Sequence, residues 1–349
     1  MTMTDLSFLP QPLIAWYKAH RKPLPWRLDP TPYHVWISEV MLQQTRIEAA
    51  MPYYERFIAA LPDVHALAAV DDDVLMKYWQ GLGYYSRARN LKKAAALIES
   101  DFDGVLPADA ALLRKLPGIG EYTAGAIASI AYGLPEPAVD GNVLRVSMRI
   151  TDCEDDVMAP TTKKAVTAAL SAVYPSGVDA ALFTEGLMEL GETLCLPNTV
   201  PKCGDCPLKA HCAGFASGRA ASLPVRAKAR ARRIEERTVF LFVRGGKVAL
   251  RKRGKGLLAG LWEFPGVEGI LDEKSVKEAA KAMGIAANDV TPVGRATHVF
   301  THIEWRMTGY RVEAAEEAPG FIWKTPEEIA RETALPSAFR AFEKMLYDL

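Results

Sequence analysis

Several things are missing from this 349-residue sequence, and each absence narrows what the chain can be. Its opening, Met1-Thr-Met-Thr-Asp-Leu-Ser7, has no basic stretch leading into an apolar run, so no secretory leader is expected. No apolar stretch approaches the ~20 residues that span a bilayer, so no membrane role is expected and the cytosol is the expected compartment. Five cysteines, four of them between Cys195 and Cys212, do not make a disulfide framework. Nor is there any net charge, since 42 basic residues balance 42 acidic ones. The balance is uneven, however. Residues 151–200 hold two basic residues against eight acidic, and residues 201–250 hold eleven against three. Binding to a polyanion depends on local potential rather than on the total, so a nucleic-acid partner is not excluded and the basic middle favours one.

What is present is an ordinary globular composition, 49% hydrophobic and 24% charged, with length for two or three domains. From Leu13 to about Gly191 apolar residues recur at three- and four-residue spacing, as in Leu67-Val70-Val74-Leu75-Tyr78 and Leu91-Ala94-Ala95-Ile98. Pro62, Gly104–Pro107, Pro135–Pro137 and Pro175–Gly177 punctuate the pattern, which predicts a bundle of about ten short helices. The periodicity lapses after Gly214. Residues 1–216 therefore form a helical region and residues 217–236 a basic linker carrying Arg219, Arg226, Lys228, Arg230, Arg232 and Arg233. That linker is either a solvated connector or a segment running along phosphates. From residue 237 to 349 the period is two. Thr238–Val243, the turn Arg244-Gly245-Gly246 and Lys247–Arg251 predict a hairpin, with strands at Thr297–Thr301, Trp305–Val312 and Gly320–Trp323. Helices at Glu273–Met283 and Pro336–Tyr347 complete an α+β domain.

Four features carry chemistry. Leu116-Pro117-Gly118-Ile119-Gly120, between helix-forming stretches at Asp109–Lys115 and Thr123–Ala131, has the pattern of a helix-hairpin-helix that grips DNA backbone. Two glycines allow a tight turn at positive φ, and the next helix presents free N–H groups to a phosphate. A C-cap glycine followed by a turn is the plainer reading. Glu39 lies among Trp36, Ile37, Val40 and Leu42, surroundings that raise a carboxyl's pKa and keep it protonated near neutrality; a half-exposed helix residue is the plainer alternative. Asp140, ahead of Gly141-Asn142 and a helix, is an N-cap candidate and also an anion suited to a developing positive charge. Finally, Cys195, Cys203, Cys206 and Cys212 follow the spacing C-x7-C-x2-C-x5-C, a metal site in a reducing compartment. Zinc commonly takes two C-x2-C knuckles and only one is present; four thiolates also suit a [4Fe–4S] cluster.

Together these motifs resemble the iron–sulfur DNA glycosylases of the helix-hairpin-helix type. Leu24-Pro25-Trp26-Arg27 and Trp36-Ile37-Ser38-Glu39-Val40-Met41-Leu42-Gln43-Gln44-Thr45 narrow the resemblance to adenine glycosylases of the MutY type, from about Trp16 to the C-terminus. It implies an all-α helix-hairpin-helix glycosylase region with an iron–sulfur cluster loop at 195–212, plus an α+β Nudix-like C-terminal domain. It implies hydrolysis of adenine mispaired with 8-oxoguanine or guanine in double-stranded DNA, by a monomer associated with the nucleoid. Glu39 would protonate the base, with Ser38 orienting it. Asp140 would stabilise the sugar cation or attack C1′ transiently, and Asn142 would bond Asp140 or a phosphate. Gly118 and Gly120 would hold the backbone. Trp26, Arg27 and Glu185 would line the adenine pocket, and Gln44 and Tyr84 would wedge the vacated stack. Tyr122 stands where endonuclease III-like relatives have a Schiff-base lysine, which implies a monofunctional enzyme without strong strand cleavage. Cys195, Cys203, Cys206 and Cys212 would hold a [4Fe–4S] cluster, although seven residues fill the first gap where the family pattern has six. Phe300-Thr301-His302 resembles the Phe-Ser-His loop that recognises 8-oxoguanine, with threonine in place of serine. Gly256–Gly266 resembles the entrance of a Nudix domain, but Glu273, Glu278 and Asp289 are scattered where an acidic metal box would lie, so no pyrophosphatase activity is expected.

Overall fold

The computed structural model describes residues 5–227 and 231–348. Lys228 and Arg230 of the expected linker lie outside them. The chain divides into two compact units. One takes the chain as far as Ala69 and resumes at Arg89; the other takes Val70–Ala88 together with the described chain from residue 231 onward.

Helices build the first unit, and short polar side chains start several of them. The Thr31 hydroxyl accepts the His34 N–H ahead of the helix Pro32–Leu42, and Asp109 accepts from Leu112 ahead of Ala110–Leu113. Asp140 accepts from Val143 ahead of Gly141–Ile150. Each satisfies a donor that the first turn leaves unpaired. The helix Val178–Thr193 runs through the middle, against Pro10–His20, Gly141–Ile150 and a π-helical turn at Ile127–Ala131. Leu13, Tyr17, Val143, Val146, Val166, Phe183, Leu187 and Leu190 form the core between them. Gly191 makes the close approach possible: a Cβ there would stand 2.7 Å from that of Asn142.

The second unit is a mixed sheet covered on both faces. Its strands are β1 (Arg233–Arg244), β2 (Lys247–Lys252), β3 (Trp262–Glu263), β4 (Gly266–Glu268), β5 (Ala287–Val299), β6 (Ile303–Ala314) and β7 (Ile322–Lys324). The order is β3-β2-β1-β6-β5, with β4 paired to β1 and β7 to β2. Only β1 and β6 run parallel among these pairs, from Arg233↔Ile303 to Val243↔Glu313. Alternation along β1 decides which core each residue joins. Val239, Leu241 and Val243 meet Trp305, Met307, Phe339 and Phe342, whereas Phe240 and Phe242 meet Val276, Ala280 and Val312 on the other face.

The expected hairpin is present, with Val243 opposite Val248 and Arg244 opposite Lys247. Other expectations need correction. Residues 233–236 of the expected linker are the start of β1, because their backbone pairs with β6. Arg219 of the same linker is held by Asp152 and Glu154 and is not a free cation. The strand expected at Thr297–Thr301 is the end of a longer one that stops at Val299. The helix expected at Pro336–Tyr347 is broken into 3-10 turns around Arg340–Lys344. An unforeseen helix, Pro326–Glu332, opens on a capping box between Thr325 and Glu328. No helix among the described residues is long and apolar enough to cross a membrane.

Candidate active site

A cleft of about 570 Å³ opens in the first unit. It is lined by Trp26, Arg27, Glu39, Gln44, Tyr122, Asp140, Asn142 and Glu185, eight of the residues singled out from sequence.

Glu39 sits on the inward face of the helix Pro32–Leu42, only 6% exposed, with Trp36, Ile37, Val40 and Met41 buried around it. The Tyr122 hydroxyl donates a short hydrogen bond to its Oε2. Burial pushes the Glu39 carboxyl up to about 7; the Tyr122 bond opposes the rise, and the negative charges of Asp140 and Glu185 add to it. Burial likewise drives the Tyr122 phenol well above its ordinary range, so that tyrosine is a donor and not a base. Ser38 does not orient Glu39: its hydroxyl donates to the Val35 carbonyl at 2.9 Å.

Asp140 is an N-cap and a wall of the cleft at once. Its Oδ1 accepts the Val143 N–H at 2.7 Å and its Oδ2 accepts from the Asn142 side chain at 3.0 Å. Burial raises its pKa, against those hydrogen bonds and the charge of Arg145. Asn142 is fixed from behind as well, since Arg145 Nη2 donates to its Oδ1 at 2.8 Å and to the Gly191 carbonyl at 2.7 Å.

A second buried group closes one wall. Glu185 is 9% exposed, accepts from Tyr17 Oη at 2.9 Å, and lies 3.7 Å from Arg27 Nε. Arg27 Nη2 in turn contacts Glu189 at 2.9 Å, and Glu189 is only 2% exposed. Arg27 Nη1 is buried without a protein partner, leaving a donor for whatever enters. Burial raises the Glu185 pKa while Arg27 and Tyr17 hold it down. Sequence reading missed Tyr17 and Glu189. The spacing of Glu185 and Glu189, one helical turn apart on a shared face, was the available signal for the latter; nothing local marks a tyrosine 168 residues away.

The hairpin joins Ala110–Leu113 to Glu121–Ala126. Gly118 has φ +80° and a Cβ there would stand 2.7 Å from that of Asn90. Gly120 departs from expectation: its φ is −91°, so it needs no glycine for its conformation, and the space where a Cβ would lie is open.

The four clustered cysteines line one small cavity with Val146, Ile150, Leu190 and Leu208. Arg149 Nη1 donates to Cys195 Sγ at 3.3 Å and to the Leu196 carbonyl at 2.9 Å. Among the described residues no three His, Cys, Asp or Glu side chains meet closely enough to hold a metal ion. These four thiols on one apolar cavity are the side chains that could hold a thiolate-bound metal group.

Tyr84, Phe300, Thr301 and His302 belong to the second unit. Residues 300–302 form the turn between β5 and β6, closed by the Phe300 N–H on the Ile303 carbonyl at 2.8 Å. Phe300 packs edge-on against Trp305 and His298, while Thr301 and His302 are exposed. The Tyr84 and Thr301 hydroxyls are 2.7 Å apart.

Comparison with known proteins follows the same division. The profile of the HhH-GPD superfamily of base excision DNA repair proteins matches residues 37–175, and that of the NUDIX domain matches residues 238–344. These bear out the fold class expected from sequence. The adenine DNA glycosylase of Rattus norvegicus is 31% identical over 413 residues, spanning 98% of this chain and 79% of its own. That of Homo sapiens is 31% identical over 407 residues, spanning 95% and 73%. Among solved structures, a non-covalent endonuclease III–DNA complex superposes with a TM-score of 0.51 at 26% identity, over 60% of this chain and 94% of that one.

Proposed function

The chain belongs to the adenine DNA glycosylases of the MutY type, and from that premise we propose that it hydrolyses adenine mispaired with 8-oxoguanine, and with guanine, as a monofunctional enzyme acting on nucleoid DNA. The observation that carries the proposal is a buried carboxyl held near neutrality, Glu39, facing the same cleft as a second carboxyl, Asp140.

An extruded adenine enters the cleft. The Glu185 carboxylate accepts from the exocyclic amine, and the unpartnered Arg27 Nη1 donates to a ring nitrogen. Protonated Glu39 delivers its proton to the base, which leaves neutral and takes the pair of electrons of the bond to C1′. The sugar left behind is an oxocarbenium cation, stabilised by ionised Asp140, which Asn142 and the Val143 N–H hold in place. Water adds to C1′ and its proton returns to the Glu39 carboxylate. Tyr122 offers no amine for an imine, so the sugar is released without strand cleavage by that route. Cys195, Cys203, Cys206 and Cys212 would hold a [4Fe–4S] cluster. When bound, the cluster ties the 195–212 loop together, and Arg149 links Cys195 to the helix that Asp140 caps. In the second unit, the exposed Thr301 and His302 would read the base opposite adenine, and Tyr84 would act as a wedge in the vacated stack; Gln44, in the first unit, would be a wedge residue as well.

Single-turnover adenine release from an 8-oxoguanine:A duplex tests this. Wild type should give strand breaks only after alkali, and Glu39→Gln should give none. Tight binding without base release from wild type would sink the proposal.

A further inference from the structure

The stretch Val70–Ala88 reads as one more piece of the helical region, yet it folds into the second unit. Its helix, Asp72–Trp79, starts on Asp71, whose carboxylate accepts the N–H groups of Asp73 and Val74 at 2.8 and 3.3 Å. The other end is pinned by side chains. Lys77 Nζ donates to the carbonyls of Ala330 and Thr333, at 2.5 and 3.3 Å, where the helix Pro326–Glu332 ends. Gln80 Nε2 donates to the Leu335 carbonyl at 3.2 Å, and Asp73 pairs with Lys252 at 2.7 Å. The last carbonyls of a helix lack intrahelical partners and carry the negative end of its dipole, so an ammonium is well placed there.

That pinned helix runs straight into Gly81-Leu82-Gly83-Tyr84. Gly81, Gly83 and Tyr84 all have positive φ, 105°, 72° and 46°, a conformation a tyrosine adopts only when its surroundings hold it. Here they do. Trp79 Nε1 donates to the Gly83 carbonyl at 3.0 Å, and Arg87 Nη2 donates to the carbonyls of Leu82 and Gly83 at 3.0 and 3.1 Å. The Arg87 guanidinium also lies over the Trp79 and Tyr84 rings. The tip of the turn then reaches the 300–302 turn through the bond between Tyr84 and Thr301.

We infer that Lys77 and Gln80 are positioning residues that lock the Tyr84 turn and the Phe300–His302 turn into one body, so that reading the opposite base and wedging the stack occur as a single event. The inference rests on the proposed roles of those two turns. Neither Lys77 nor Gln80 touches the cleft chemistry, so their removal should cost discrimination and leave intrinsic base release intact.

The test compares single-turnover adenine release from 8-oxoguanine:A and G:A duplexes for wild type, Lys77→Ala with Gln80→Ala, and Lys77→Arg. The double variant should lose about five-fold or more of the 8-oxoguanine advantage while its G:A rate changes by less than about two-fold. Lys77→Arg, still a donor to both carbonyls, should keep the advantage. Gln80→Ala alone carries the same test in weaker form should the double variant not fold. Equal slowing on both duplexes, or an unchanged ratio in a folded variant, overturns the coupling. A wild type with no 8-oxoguanine advantage instead removes the assigned role of the 300–302 turn.

Discussion

A carboxyl with 6% of its surface exposed is poorly placed to be charged, and Glu39 turns that into an acid of pKa about 7. As the protonated form of Glu39 is lost, the rate should fall about tenfold per unit well above pH 7, after a plateau on the acid side of it. An acid limb should appear where Asp140 is neutralised, at a pH above the ordinary aspartate value of 3.8 because burial raises it. Tyr122→Phe removes the hydrogen bond that pulls the Glu39 pKa down, so the alkaline limb should move to higher pH; a shift the other way would show the phenol acting differently. The same displacement bears on stability. Between the unfolded value of 4.5 and the folded value of about 7 the native state holds a proton the unfolded chain has released, so stability falls as pH rises through that window. Glu39→Gln should then melt higher than wild type at pH 8, by an amount on the order of 3 kcal/mol or less, while losing adenine release. Glu189 makes a subtler case. Neutralising it as Glu189→Gln frees Arg27 to close on Glu185 and compete for the lone pairs that meet the exocyclic amine. Adenine release should drop about tenfold while release of a purine lacking that amine barely changes; equal losses on both bases would refute the mechanism.

At the scale of elements, the hairpin separates two kinds of glycine. Gly118→Ala forces a Cβ into the left-handed region and within 2.7 Å of Asn90, so it should destabilise the fold by about 1–3 kcal/mol. Gly120→Ala meets neither obstacle and should fold as wild type. If the backbone of residues 118–120 lies against DNA phosphates, its affinity for undamaged duplex should nevertheless fall, which a salt titration of binding would measure; unchanged affinity would place the DNA elsewhere. Such distinctions show what was legible from sequence. Gly-x-Gly announced a turn, but which glycine needed positive φ was set by the neighbouring helix that carries Asn90. Glu39 and Asp140 were legible because their own flanking residues create the burial and the cap that define them. The 300–302 turn was legible as a motif, yet its end of β5 was misplaced by two residues because strand pairing with β6, not composition, stops the ladder at Val299. Tyr17 was silent and Glu189 was marked only by its helical spacing from Glu185, since the importance of both arises only when two distant helices close on Arg27.

On the scale of the molecule, the same blindness extends to which domain an element serves. The apolar face of Asp72–Trp79 has helical spacing whether it packs on helices or on a sheet domain, so periodicity alone assigns it to the helical region in which it sits. What commits it to the second unit is polar: the Lys77 ammonium, half-buried and drawn below its ordinary pKa by burial, needs the carbonyls of Ala330 and Thr333, and these lie some 250 positions away. The two units are thus not two consecutive pieces of chain, and cutting the chain after residue 227 would leave a piece of the second unit, Val70–Ala88, attached to the first. It would strip Val70–Ala88 of the Ala330, Thr333 and Leu335 carbonyls, of Lys252, and of Thr301. The shortened protein should be cleaved by trypsin at Lys77, Arg87 or Arg89 well before the full-length protein is, and should melt about 4–10 °C lower. If instead those bonds stay protected and the melting temperature is unchanged, the rest of the helical region holds the stretch without help from the C-terminal residues.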